Sequence, residues 1–340
     1  MRGVTTLNKI YGEEVTLSVL TTDCDWTIGA STATLSGKAL MSSTTSRTIH
    51  RGFFIGNTTD INAENPSTGS FVEIQDADIA VDGSYSYNYP YDGSLKFFRA
   101  CMQVDGTWYQ GAVKSVSAAD LLDAEFMADG TVINASFTNV YGYKNGSPSV
   151  AYDSALGRYV ADFSSVNGYG SSTGHFYNFP YGSASGFVNK LADGHTIEIM
   201  YSMPEFDNTT EMHAFASYED GGSGVEIHNN HFVGEIYVDG YKMIDSNQHP
   251  EADKMHHVLV VWDKVNGKFS IYVDGSLKNS MDISGSFGNP TYSRYVLGGS
   301  TGGSSGAVNS FPGKIAFVRM YDDALTAEQV TYLYNSLNGH

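Results

Sequence analysis

Two turn dipeptides, Asn266-Gly267 and Asp274-Gly275, lie eight residues apart within HHVLVVWDKVNGKFSIYVDGSLKNSMDI, residues 256 to 283. A two-residue type I′ turn needs positive φ at both central positions, which Asn-Gly and Asp-Gly tolerate best. Each dipeptide therefore predicts a tight hairpin. Between them Phe269, Ile271 and Val273 share one face while Ser270 and Tyr272 take the other, and Val258, Val260 and Trp262 alternate in the same way upstream. The stretch predicts a three-stranded antiparallel meander with one face committed to a core.

At 340 residues the chain is long for a single core and suits two domains. Its 37 glycines and 13% aromatic content, with frequent turn dipeptides, point to an all-β protein of many short strands. A formal charge of −18 and a pI near 4.7 argue against a nucleic-acid partner, because phosphate binding needs clustered Lys and Arg. No apolar run reaches the ~18–20 residues of a membrane span, so no membrane insertion is expected. The start, MRGVTTLNKIYGEEVTLSVL, lacks the basic segment and apolar core of a secretory signal. The expectation is either an extracellular or cell-surface protein whose signal has been removed, or one made and assembled inside a cell. Cys24 and Cys101 are too few for a disulfide framework and leave open one bridge or two buried thiols.

Strand-like segments separated by Gly, Asn, Asp and Ser fill the first part of the chain. HRGFFIG, followed by VDGSYSYNYPYDGSLKFFRACMQVDGTWYQGAVKSVS, resembles the fibronectin type III-like modules of bacterial surface proteins over about residues 30–118. Tyr85, Tyr87, Tyr89 and Tyr91 recur at period two and share a face while the strand lasts, either as an exposed stacking strip or as a tyrosine-lined core. The strand pattern lapses in SVSAADLLDAEF, which divides residues 1–118 from residues 119–340.

Beyond that boundary, DGHTIEIMYSM, MHHVLVVWDKVNGKFSIYVDGSLKNS, YVLGGS and FPGKIAFVRMYDDALTAEQVTYLYN occur in order. Together they resemble the laminin G-like, concanavalin A-like jelly roll in its bacterial branch. The resemblance implies two antiparallel sheets packed face to face, with about ten to fourteen strands. Thr326 followed by Gln329 makes a capping box, and Leu325 can staple onto Val330, predicting a short helix from residue 327 that seals the end of the sandwich.

That family holds both glycan binders and glycoside hydrolases, so chemistry must be read from the site. Its glucanases carry Glu-x-Asp-x-x-Glu on one strand, which this sequence lacks. Glu198, Glu226 and Glu235 stand isolated among apolar neighbours, and a solvated sheet face is their expected home; no enzyme activity is expected. His256 and His257 alternate faces on a strand and cannot chelate one ion from the same side. His228 and His231, three apart, suit a helix in a segment that reads as strand and turn. The resemblance implies a structural Ca2+ at the sandwich rim, held by hard oxygen ligands, but no residues match a defined ligand pattern.

A sugar site wants aromatic rings beside polar side chains. GYGSSTGHFYNFPYGSASGF offers Tyr169, His175, Phe176, Tyr177, Asn178 and Tyr181, and NPTYSRYV offers Tyr292, Arg294 and Tyr295. These loops are the expected recognition surface, unless their rings plug the sandwich ends. The resulting expectation is a non-catalytic carbohydrate-binding or adhesion protein on a bacterial surface. Its expected partners are glycans, other envelope proteins or further copies of itself. A phage structural protein, such as a capsid decoration, head fibre or tail appendage displayed on the virion, is the alternative.

Overall fold

The computed structural model describes residues 4–10, 13–42, 47–93, 96–119, 121–134, 143–145, 148–168, 174–180, 187–205, 210–217, 221–288, 294–302 and 306–337. It divides into two compact units, Met1–Ala118 and Ala119–His340, both built on antiparallel sheets.

In the first unit, β1 (Val4–Ile10), β2 (Glu13–Asp25), β3 (Thr32–Met41) and β6 (Ser84–Pro90) form a sheet in the order β1-β2-β3-β6. A second sheet follows the order β5-β4-β7-β8, from β4 (Ile49–Gly56), β5 (Ser70–Ile74), β7 (Phe97–Val104) and β8 (Thr107–Gln110). The short β9 (Lys114–Ser115) also pairs with β7. Strand β3 shows why the sheets stack: Ala33, Leu35, Ala39 and Met41 are buried while Thr34, Ser36 and Lys38 between them are half-buried. Gly37 belongs to the buried row because a Cβ there would lie 2.8 Å from Ala100 Cβ and 3.1 Å from the Phe53 ring, both on the other sheet. The tyrosine row is partly core. Tyr85 donates from its hydroxyl to the Gly52 carbonyl at 2.9 Å, and Tyr91 meets Trp26 edge-on at 4.7 Å, while Tyr87 and Tyr89 are half-buried. Cys24 and Cys101 stand on different sheets and form no disulfide with each other, and burial pushes the Cys101 thiol up to about 12.

The second unit contains β10 (Leu122–Phe126), β11 (Val132–Asn134), β12 (Tyr143–Asn145), β13 (Ser149–Asp153), β14 (Arg158–Asp162), β15 (Phe176–Pro180) and α1 (Phe187–Ala192). It continues with β16 (His195–Ser202), β17 (Met212–Ser217), β18 (Ser223–His228), β19 (His231–Tyr237), β20 (Tyr241–Asp245), β21 (His256–Asp263), β22 (Lys268–Val273) and β23 (Ser276–Asp282). It closes with β24 (Arg294–Leu297), the small hairpin β25 (Ser300–Gly302) and β26 (Gly306–Val308), then β27 (Lys314–Tyr321) and α2 (Ala327–Leu337). Among the described residues the larger sheet has nine strands, in the order β11-β10-β14-β27-β16-β21-β22-β23 with β13 on β14, and the other has seven, β12-β15-β24-β17-β18-β19-β20.

Alternation aims one row of each strand into a common core. Ile197, Ile199, Val258, Val260, Trp262, Phe269, Ile271 and Val273 come from the nine-stranded sheet; Tyr177, Phe179, Val225, Ile227, Phe232, Ile236, Tyr295 and Leu297 come from the seven-stranded one. Each large apolar side chain buried this way contributes about 1.5–3 kcal/mol. Gly234 permits the close approach, since a Cβ there would lie 2.4 Å from Val260 Cγ1 on the facing sheet.

The meander forms as β21-β22-β23, but its two turns differ. Val273 pairs with Ser276 around Asp274 and Gly275, both at positive φ (52° and 73°), as a type I′ hairpin requires. At the first turn, Asp263 pairs with Lys268, so four residues close the loop and positive φ falls on Gly267 alone. The Asp263 carboxylate accepts from the Asn266 backbone N–H at 2.9 Å and from its side-chain amide at 2.7 Å, which fixes the longer loop. Helix α2 begins with the predicted box: the Thr326 N–H donates to Gln329 Oε1 at 2.9 Å and the Gln329 N–H to Thr326 Oγ1 at 3.3 Å.

Candidate functional site

The rows turned away from the core carry the unusual chemistry. On the seven-stranded sheet, β17 has a register shift between His213 and Phe215, so these residues two apart face opposite ways. Phe215 stacks on Tyr295 in the core at 5.1 Å, while His213 turns outward opposite Glu226 on β18. On the next strand Glu235 lies opposite Gly224, where a Cβ would stand 2.7 Å from Glu235 Oε1; the missing side chain lets the carboxylate lie across β18.

Three carboxylates thereby surround one imidazole. His213 Nε2 is 2.6 Å from Glu211 Oε1 and 3.2 Å from Glu226 Oε2, and Nδ1 is 3.4 Å from Glu235 Oε1. Asn309 Nδ2 donates to Glu211 Oε1 at 2.6 Å, and His228 Nδ1 stands 3.7 Å from Glu226 Oε1. His213 and Glu226 are buried, whereas the Glu211 side chain is 40% exposed. Burial opposes charge on His213, yet Glu235, Glu211 and Glu226 hold it well above the usual imidazole range. Burial likewise pushes Glu226 up to about 8, with His213 opposing and Glu235 and Glu211 adding to the rise.

Beyond this cluster the same face runs to the sheet edge. Tyr237 and Tyr241 flank a turn at Asp239 and Gly240, both at positive φ, and pair across it with ring centroids 5.3 Å apart at 81°. Tyr241 is 46% exposed and Met243 beside it 45%. His228 and His231 face each other across the β18–β19 turn, and His231 Nδ1–H donates to Asp245 at 2.9 Å.

The outward face of the nine-stranded sheet carries a second, closed network. His257 Nε2–H donates to Glu198 Oε1 at 2.7 Å and the Tyr321 hydroxyl donates to Glu198 Oε2. Arg319 reaches Asp123 at 3.0 Å and Glu125 at 2.8 Å. Tyr334 of α2 stacks on His257 at 6.0 Å. Burial works against charge on Glu198, but Arg319, then His257 and Tyr321, hold its carboxyl down to about 2. Burial raises Glu125 to about 7 despite Arg158 and Arg319. Its hydrogen-bonded members are all buried, with half-buried Tyr334 laid over His257, so this network fastens the fold. The expected solvated setting of the acids is thus corrected: Glu198 and Glu226 are buried and the Glu235 side chain is 12% exposed, because cross-strand partners compensate their burial.

The expected sugar-binding loops are also revised. The segment read as Gly/Ser-rich loop contains strand β15, whose alternation sends Tyr177 into the core between Phe126 at 5.1 Å and Phe163 at 6.2 Å. Asn178 is buried, and Tyr295 is a core residue whose hydroxyl meets Ser223 Oγ at 3.1 Å. None of these three presents a surface on which a sugar can stack. His175 and Arg294 are half-buried; the His175 backbone is clamped by Asn167, whose Oδ1 accepts from its N–H at 2.7 Å. The two runs do meet, since β15 pairs with β24 and Pro180 lies opposite Arg294. Tyr169, Tyr181 and Tyr292 lie outside the described residues.

His213, Glu211, Tyr237 and Tyr241 escaped the sequence reading, although each carries a signal. Glu-Met-His at 211–213 has the period of one strand face, and Tyr-Val-Asp-Gly-Tyr at 237–241 sets two rings on either side of a turn.

Two face-packed antiparallel sheets with polar clusters on their outward rows define a β-sandwich. Residues 181–331 match the family model described as concanavalin A-like lectin/glucanases superfamily, and this stretch is a concanavalin A-like lectin/laminin G domain. Similar solved structures include a binding domain of botulinum neurotoxin DC in complex with rat synaptotagmin II, at 14% identity and a TM-score of 0.49, covering 64% of this chain and 52% of that one. Another is from work on the cell entry of botulinum neurotoxin type C and its interaction with two ganglioside molecules, at 14% identity and 0.48, covering 64% and 51%. A third is the binding domain of serotype G, at 17% and 0.47, covering 63% and 50%. The chain spans about half the length of these structures. No curated protein matches its sequence.

Proposed function

We propose that the protein binds carbohydrate without cleaving it, through the outward face of the seven-stranded sheet. The observation that carries this reading is the exposed Tyr241 ring, buttressed by Tyr237 and flanked by Met243, at the edge of a face whose interior holds carboxylates and imidazoles. An accessible ring stacks on the apolar face of a sugar, while carboxylates and imidazoles take its hydroxyls. The lectin-containing family of residues 181–331 supports the substrate class. Within the same proposal the first unit is a fibronectin type III-like spacer, supported by its facing strand orders β2-β3-β6 and β5-β4-β7-β8. Display on a bacterial surface belongs to it too, supported by the resemblance of about residues 30–118 to modules of bacterial surface proteins, with a virion surface as the alternative.

The test is a glycan array probed with the full chain, with calcium and again with chelator. Binding to a defined glycan that falls about tenfold (~1.4 kcal/mol) in Tyr241→Ala supports the reading. Silence across the array overturns it, and cleavage of a bound glycan overturns its non-catalytic part.

A further inference from the structure

The cluster around His213 gathers three carboxylates about one imidazole. We propose that Glu211, His213 and Glu226 bind a divalent first-row metal ion, for which zinc is the probe. One oxygen from each carboxylate and one ring nitrogen lie within 4.8 Å of one another. A zinc ion about 2.0–2.2 Å from each ligand holds its donors ~3–4 Å apart, so shifts below about an ångström complete the set.

A separate observation points to a missing ligand. Glu226 Oε1 is buried in a residue 1% exposed and accepts no hydrogen bond among the described residues, His228 Nδ1 standing 3.7 Å away, beyond hydrogen-bond reach. Such an oxygen is costly to leave unmatched, and it sits on a carboxylate whose other oxygen already faces His213 Nε2 at 3.2 Å. The surrounding groups are those a metal-binding histidine needs. Glu235 stands at Nδ1, where accepting that proton leaves the Nε2 lone pair directed at the ion, and Asn309 orients the Glu211 carboxylate.

The donor set also selects the ion. An imidazole with carboxylates suits zinc or manganese, whereas calcium takes six to eight oxygens. This is a different site from the rim calcium that the sequence resemblance implies. Three carboxylates facing one imidazole leave an excess negative charge that a dication balances, and half-exposed Glu211 gives it a route from solvent. The inference stands whether or not the sheet face takes a glycan.

The test uses the full chain stripped with chelator and titrated with zinc chloride by calorimetry at about pH 7.5, where binding should release protons because metal ligands must be deprotonated. One equivalent should bind, and Glu211→Gln and His213→Gln should each weaken it at least tenfold with the far-UV circular dichroism unchanged. Glu235→Gln should weaken it less, as a positioning residue does. If His213→Gln fails to fold, the half-exposed Glu211→Gln still decides. The proposal is overturned if folded wild-type protein shows no saturable zinc binding, or if Glu211→Gln binds as wild type does. It is equally overturned if zinc is lost only in His231→Ala, which would place the ion at the His231–His249 pair, whose rings lie 4.4 Å apart.

Discussion

His257 Nε2 and Glu198 Oε1 lie 2.7 Å apart on neighbouring strands of the nine-stranded sheet, both closed from solvent. Glu198 also receives the Tyr321 hydroxyl and stands 3.6 Å from Arg319, so one carboxylate compensates three buried groups. Glu198→Ala strands His257 and the Tyr321 hydroxyl, while Arg319 keeps Asp123 and Glu125, and it is expected to cost about 3–5 kcal/mol, the range for removing one partner of a buried ion pair. Urea unfolding followed by circular dichroism measures it, and a loss below about 1 kcal/mol would show that the network contributes little.

His195 predicts an acid sensitivity. Its ring is buried between the Leu191 carbonyl at 2.9 Å and Ser223 Oγ at 2.7 Å, and burial lowers it to about 4 from an ordinary 6.5, against the Leu191 bond, which raises it. The unfolded chain therefore binds the extra proton first. Stability from this group is complete above about pH 6.5 and is lost as pH falls towards 4, by up to roughly 3 kcal/mol. Stability curves of wild type and His195→Gln should converge on acidification through that window. Parallel curves would exclude His195 as the source.

Tyr177 makes a prediction of opposite sign. Its hydroxyl is buried without a hydrogen-bond partner among the described residues, and burial pushes it up to about 12. Tyr177→Phe removes an unmatched polar atom and keeps the ring against Phe126 and Phe163, so it should leave stability unchanged or raise it by about 1 kcal/mol. A clear fall in thermal midpoint would reveal a partner for that hydroxyl.

What the sequence discloses here is what its neighbours in the chain decide. The β21-β22-β23 alternation and the Thr326/Gln329 cap depend on residues a few positions apart, and both formed. The turn at Asn266 differs from the expected two-residue form because Asp263, three residues earlier, competes for its backbone. Burial of Glu198 is illegible for a larger reason: its partners lie on β21 and β27, which pair with β16 out of chain order, whereas Glu226 is covered by His213 of the neighbouring β17, which the register shift before Phe215 turns outward. Period-two alternation reports that such a residue faces away from the core, and here that face is itself covered. Tyr177 and Tyr295 illustrate the converse, since aromatic residues in a turn-rich context suggest an exposed site whereas strand pairing made them core.

Gly275 joins the opening turn to the closing helix. At φ 73° a side chain is strained, and a Cβ would also lie 2.8 Å from Tyr334 Cδ1 and 2.9 Å from Tyr334 Cβ on α2. Both terms act on Gly275→Ala, so the loss should exceed the ~1 kcal/mol of a turn glycine alone and reach about 2 kcal/mol. Because Tyr334 also covers His257, the clash should loosen α2 before the sheets. Amide exchange should accordingly accelerate in residues 327–337 more than in β21 and β22. Uniform acceleration would mean that the helix and the sandwich open as one unit, and an unchanged helix would mean that Tyr334 moves aside without cost.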